Sequence, residues 1–418
     1  MRAMNYNELS GKSILLLGKT RALNAEEFDT LLKLHKIERA EHCNHDVALI
    51  IEGRMMNPYE QEELAHLYET QQIPIVELST IEEWLCRSIE PNRLLMSLKL
   101  SRNQERLVDF LQNPYISDTL FFKLLKLYDW QNEGLFDNDM NRDVTASIIG
   151  RFYEDLDRNH NVQYAMSGLA HLIERYGNAD LIDAIADISP ISRELKNPSD
   201  RSLTGILDAM ALHSDTSEPI LRLLMSGRAK LLAHREPLGL ENELLMLGDE
   251  EVNTILSQNR TLSKEGADVL EASHPHLIAS NTVLCDTRFD RLIGKYASYL
   301  ASNPSLSPAM QQRLFESKDG NVLDVLASNP IIQREILDRL FESGRFSMQL
   351  AKNSALSQEN IKILFLRGES EVLSALAANV STPIEILYQL SLDQRFERRV
   401  KTNPAFGKYI QTHNIGWS

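Results

Sequence analysis

A chain of 418 residues with 43% hydrophobic and 25% charged side chains holds enough apolar material for two or three globular domains. Its formal net charge of −15 makes the average surface repel phosphate backbones and anionic lipid, so nucleic-acid contact would need a local basic patch, and no Lys/Arg block is longer than "RFERR" at 395–399. Cys43, Cys86 and Cys285 are odd in number and far apart, which excludes a disulfide framework, and no apolar run approaches about 18 residues; with no signal-like leader the sequence reads as cytoplasmic, without a membrane span.

The first element lies in "LSGKSILLLGKT", residues 9–20, which holds two Gly-Lys-Ser/Thr triplets. A phosphate-binding P-loop also needs a glycine five residues upstream of each, to curl backbone N–H groups around phosphate, and Tyr6 and Ser13 stand there instead. Gly11 and Gly18 therefore read as turns on either side of the strand "SILLLG". The helix "NAEEFDTLLKLHKI" follows, with Asn24 as its cap, then strands in "RAEHC" and "VALIIEG", a helix opened by Asn57-Pro58, the strand "IPIVEL" and a helix "TIEEWLCRSI" capped by Thr80. The order β-α-β-β-α-β-α predicts a parallel sheet flanked by helices over residues 1–90.

These features, with Trp84 in the last helix, resemble a BRCT domain. The resemblance implies a module that binds phosphorylated peptides or mediates protein contacts in DNA-repair and replication assemblies. Phosphate-binding members carry Ser/Thr-Gly at the end of the first strand and a Lys on the second helix; here the pair is Leu17-Gly18 and "NPYEQEELAHLYE" has no Lys, which leaves Gly18, Lys19 and Thr20 as the possible anion site.

Residues 91–200 read as a helical region. "RLLMSLKLSRNQERLVDFLQ", "SDTLFFKLLKLYDW", "DVTASIIGRFYEDL" and "VQYAMSGLAHLIERY" each carry apolar residues at spacings of three and four. "DNDMNRD", 137–143, imitates a calcium loop but has Arg142 at its sixth position and Ile148 at its twelfth, so it reads as a solvated loop.

Residues 201–418 repeat. Asn259, Asn281, Asn303, Asn329, Asn353, Asn379 and Asn403 follow one another at steps of 22, 22, 26, 24, 26 and 24. Three residues before each stands Leu256, Ile278, Leu300, Leu326, Leu350, Leu376 or Val400; eleven after the first six stands Leu270, Leu292, Leu314, Leu340, Leu364 or Leu390. Fixed offsets at a step of about 24 residues predict a short helix, a turn and a longer helix per unit, stacked on a shared apolar core. The asparagines are placed at the turns, where an Asx side chain bonds nearby backbone. Ser307 before Pro308, and Thr382 before Pro383 with Glu385 three residues on, are expected to cap the longer helices. "FLQNPYISDTLFFKLL" keeps the offsets through Phe110, Asn113, Ile116 and Leu124, and "HSDTSEPILRLL" at 213–224 is a further degenerate unit.

The segments "LASNPSLSPAMQQRLFE" and "LAANVSTPIEILYQLS" resemble the variant leucine-rich repeat and, more loosely, HEAT repeats. The fold class expected is mainly α: a right-handed α-solenoid preceded by a small α/β BRCT-like domain.

For chemistry, "EHCNHD" brings His42, Cys43 and His45 together without a second ligand pair at zinc spacing and reads as an edge strand or a loop, and the isolated His274-Pro275-His276 reads as a loop. No nucleophile-elbow, zinc-protease or dinucleotide motif occurs. Trp84 and Trp130 read as core anchors. The expectation is a non-catalytic protein-interaction scaffold without cofactor, metal or catalytic residues; the alternative is a DNA-repair or replication factor that binds nucleic acid through a local basic strip.

Overall fold

A computed structural model describes residues 6–70, 72–154, 160–199 and 201–412. It is mainly helical, with one small parallel sheet at the N-terminus. The chain divides into two units, 1–228 and 229–418. Among the described residues no helix is long and apolar enough to cross a membrane.

The sheet comprises β1 (Ser13–Leu17), β2 (Glu38–Ala40), β3 (Val47–Glu52) and β4 (Ile75–Glu77), all parallel in the order β2-β1-β3-β4. β1 and β3 are the central strands, and Ile14, Leu15, Leu17, Leu49, Ile50 and Ile51 are buried, as a parallel sheet covered on both faces requires. The helices are α1 (Ala25–Leu34), α2 (Pro58–Thr70) and α3 (Leu78–Arg87). Asn24 caps α1 by accepting from the Glu27 N–H. Asn57 and Glu60 bond each other's backbone N–H, a reciprocal cap that starts α2. The expected cap of α3 is corrected: the helix begins directly after β4, so Thr80 lies inside its first turn and Glu77 occupies the cap position, its carboxylate accepting from the Ser79 hydroxyl rather than from a helix N–H. Gly11 and Gly18 flank β1 with φ of 81° and 91°. At Gly18 a Cβ would come within 2.6 Å of the Arg54 carbonyl oxygen, so only glycine fits.

Helix α4 spans Pro91–Ser101. The long helix expected across 93–112 is two: Arg102 turns left-handed (φ 52°), and Asn103 caps a new helix, Gln104–Gln112, by accepting from the Arg106 N–H. Segment 137–143 is not all loop, because Asn138 caps a helix that already begins at Asp139 and runs to Phe152. Likewise 162–176 is not one helix; a short 3₁₀ segment, His160–Tyr164, precedes Gly168–Tyr176. Trp130 is buried and packs edge-on to Tyr128, whereas Trp84 is half-buried between Tyr6 and His35.

Unit 229–418 is a stack of helix pairs. The first helices include Glu250–Gln258, Pro275–Asn281, Gly320–Ser328, Ser347–Lys352, Ser370–Ala378 and Gln394–Lys401; the second include Lys264–Leu270, Pro308–Glu316, Arg334–Glu342, Gln358–Arg367 and Ile384–Ser391. Between Asp286 and Ala301 a second helix runs into the next first helix through a non-helical residue, Tyr296. The seven aliphatics before the turns are at most 1% exposed, and the six leucines after them at most 4%. Both rows therefore form the shared spine. Ser307 caps its helix through the Met310 N–H, with Pro308 at the first position. Thr382 does not cap: its hydroxyl donates inward to the Leu376 carbonyl at 2.7 Å, and Pro383 takes the cap position.

Candidate functional site

The repeating amides are the most regular polar feature. Asn259, Asn303, Asn329, Asn353, Asn379 and Asn403 are all buried. Each Nδ2 donates two hydrogen bonds, at 2.7–3.0 Å, to carbonyls one unit earlier: Asn353 to Ala327 and Asn329, Asn379 to Ala351 and Asn353, Asn403 to Ala377 and Asn379. Each Oδ1 accepts from the N–H two residues on, at 2.7–3.1 Å. The Asx turn is thus half of the role; the other half ties consecutive units together. Both amide hydrogens are engaged, so this row has no donor left to offer a ligand.

Asn281 departs from the pattern. It ends its helix, half-buried, and its Nδ2 bonds Leu277 within the same turn, while Thr282 takes the buried turn position and its carbonyl receives Asn303. In unit 1–228, Asn113 repeats the geometry: its Nδ2 donates to Ala22 at 2.8 Å and its Oδ1 accepts from Tyr115. His213 is an imidazole version. Its Nδ1 accepts from the Asp215 N–H, and the Thr216 hydroxyl donates to Met210 as that of Thr382 does to Leu376.

At the possible anion site after β1 the backbone N–H groups of Gly18 and Lys19 are already engaged within the protein. The Gly18 N–H donates to Glu60 Oε1, and Lys19 exchanges backbone bonds with Arg54; the Lys19 side chain is exposed and Thr20 half-buried. Just beyond, the N–H groups of Arg21, Ala22 and Leu23 converge on Glu82 Oε1 at 2.8, 2.9 and 3.2 Å. Glu82 is 1% exposed, so three dipoles stabilise a buried carboxylate and fix the loop whose Ala22 carbonyl receives Asn113. Cys86 lies against Asn113, and burial pushes its thiol up to about 11. Glu82→Ala is expected to destabilise the unit by about 2 kcal/mol, since water reaches only part of the loop. Hydrogen exchange at the amides of 21–23 would rise in step, which mass spectrometry of that peptide reads.

His42, Cys43 and His45 all lie exposed in a turn, and among the described residues no group of three His, Cys, Asp or Glu is placed to hold a metal. His274 is buried, with Ser273 Oγ at 2.8 Å and Thr254 Oγ1 at 3.1 Å, whereas exposed His276 packs against Tyr299. A groove of about 670 Å³ in unit 1–228 is lined by Arg21, Tyr115, Ser147 and Arg151, among others. Arg151 is already bound there to Asp118 and to the carbonyls of Asn113 and Ile116.

Charge on the second helices of unit 229–418 is arranged unit by unit. Buried Arg288 reaches Asp268 and Glu271, and its hydrogen bond holds the Asp268 carboxyl below its ordinary range. Arg313 lies over Phe289 and pairs with Asp290. Arg339 lies over Phe315 at 4.5 Å and Arg367 over Phe341 at 5.4 Å. Outward-facing positions otherwise change from unit to unit: Gln312, Asp338, Lys362, Tyr388 at one, and Glu316, Glu342, Leu366, Leu392 at another. Leu366 and Leu392 are 81% and 75% exposed. Sequence reasoning missed this surface because the spine offsets mark only inward residues. No protein-family model, no curated protein and no solved structure matches this chain.

Proposed function

We propose that this chain is a non-catalytic scaffold that docks protein partners on the outer surface of its helix stack. One observation carries the reading: residues at the turns and in the spine recur from unit to unit, while those facing outward at the same repeat positions differ in charge and polarity. A stack built this way keeps one architecture and varies what it presents, as solenoid scaffolds do. The resemblances to BRCT and variant leucine-rich repeats point the same way.

The full-length chain used as bait in native lysate is expected to capture a partner at fixed stoichiometry. Failure to enrich any protein over a charge-matched control would remove the support. The nucleic-acid reading draws on the helix Gln394–Lys401, with Arg395, Arg398, Arg399 and Lys401. There Asp393 holds Arg395 and Glu397 holds Lys401, leaving less free positive charge than the sequence suggests. It requires duplex binding that weakens steeply with salt.

A further inference from the structure

We infer that helix α4 of one copy of this chain docks on helix α2 of another, so that the protein associates with itself through two oppositely charged helix faces. This goes beyond the scaffold reading and does not depend on it, because both helices belong to unit 1–228.

The α4 face is basic and apolar at once. Residues 91–103 hold Arg93, Lys99 and Arg102 and no carboxylate, in a chain whose net charge is −15. Leu94 and Leu98 are buried on the inner side. At about 100° per residue Met96 and Leu100 fall on the opposite side, where they are 58% and 76% exposed. Their i, i+4 spacing puts them side by side on one turn, so they form a single strip. Arg93 and Lys99, three residues before and after Met96, flank that strip on its two sides.

The α2 face is its counterpart. Residues 58–70 hold Glu60, Glu62, Glu63 and Glu69 and no Lys or Arg. Leu64 is buried in the core beneath the helix, and the opposite side carries Tyr59, 83% exposed, with Glu62, His66 and Glu69 along the same stripe. Glu60 is spent at the helix start on the N–H groups of Gly18 and Asn57. The ion pairs near α4, Arg87 with Glu83 and Arg106 with Glu27, use none of the facing charges. Arg93, Lys99 and Arg102, like Glu62, Glu63 and Glu69, therefore have no salt-bridge partner among the described residues.

Length and direction match. Arg93 and Lys99 lie about 9 Å apart along their axis, and Glu62 and Glu69 about 10.5 Å along theirs. Laid antiparallel, the two helices oppose their macrodipoles, and Met96 and Leu100 meet the stretch between Tyr59 and His66. Charges beyond the helix ends agree with this sense: Glu105 follows α4, while Lys19 and Arg54, which exchange backbone bonds, stand before α2. Glu90, before α4, is held by the N–H groups of Asn92 and Arg93. The overall repulsion between copies is screened beyond about 8 Å at physiological salt, so the facing charges decide at contact. One helix pair is small for an interface, and the association is accordingly weak and concentration-dependent.

The test is sedimentation equilibrium of the full chain at concentrations up to about 1 mM, where an interface of this size is populated. The apparent mass of the wild type is expected to rise with concentration. Two charge-reversed variants are compared with it: Arg93→Glu with Lys99→Glu on α4, and Glu62→Lys with Glu69→Lys on α2. Each is expected to keep the wild-type thermal transition and to weaken association about tenfold or more, because like charges then face each other. An equimolar mixture of the two is expected to restore association, since each variant's α2 then meets an α4 of opposite sign. Met96→Ser with Leu100→Ser, which leaves every charge in place, is expected to weaken association as well. The inference falls if the wild type stays monomeric, if either reversed variant associates as the wild type does, or if the mixture stays monomeric. A monomeric wild type that binds phosphatidylserine vesicles through the α4 cations would make a lipid surface the occupant and overturn it.

Discussion

Leu340→Asp is expected to abolish cooperative folding of unit 229–418. Leu340 is a spine leucine on the helix Arg334–Glu342 and is 2% exposed. Removing it forfeits a buried leucine's worth of packing, about 3 kcal/mol, and leaves a carboxylate where its neighbours are the apolar side chains of adjoining units. The carboxylate must stay charged and undersolvated or take up a proton, and either route brings the total to about 5 kcal/mol or more, comparable to the whole stability of an ordinary domain. Urea denaturation followed by circular dichroism should show an early loss of helix that the wild type lacks. A transition at the wild-type midpoint would mean that Leu340 does not face the spine.

Asn353→Ala is the second large effect, expected at about 3 kcal/mol. It strands two buried carbonyls, Ala327 and Asn329, and the Ala355 N–H, at about 1 kcal/mol each. Asn353→Asp keeps the shape and the acceptor but aims a carboxylate at two carbonyl oxygens, so it should be worse than alanine. Asn281→Ala supplies the contrast. That side chain bonds only within its own helix, alanine is the better helix former, and the change should stay within about 0.5 kcal/mol. Equal losses at 353 and 281 would refute the assignment of the inter-unit bonds.

Those two asparagines also show how much of the fold was legible. The repeat could be read because spine and turn residues are chosen by burial, and burial recurs with the unit. The registration error at 281 arose because Asn281 and Thr282 are adjacent polar residues and only the backbone decides which one turns inward. The joining of two helices at Tyr296 removes a loop there and shortens the step from Thr282 to Asn303 to 21 residues, which residue identity alone does not register. Thr382 misled for a related reason, since Thr-Pro-x-Glu writes the same pattern whether the hydroxyl caps forward or bonds back to Leu376.

In the N-terminal unit the succession of strands and helices along the chain followed from hydrophobic runs, but the convergence of three loop N–H groups on Glu82 links positions about 60 residues apart. No local pattern announces it. The outward surface of the last two units becomes visible only when helix phase is fixed. A leucine in a leucine-rich helix looks like core until its neighbours Leu364 and Leu390 are seen to occupy the inside.

The turn amides all point one way along the chain. Asn403 reaches back to 377 and 379, Asn379 to 351 and 353, and Asn113 to Ala22. Each turn amide closes on carbonyls made before it, and those buried carbonyls stay open until the next module's asparagine arrives. On a ribosome, where the N-terminal end emerges first, such a molecule zips up in the order of its own synthesis.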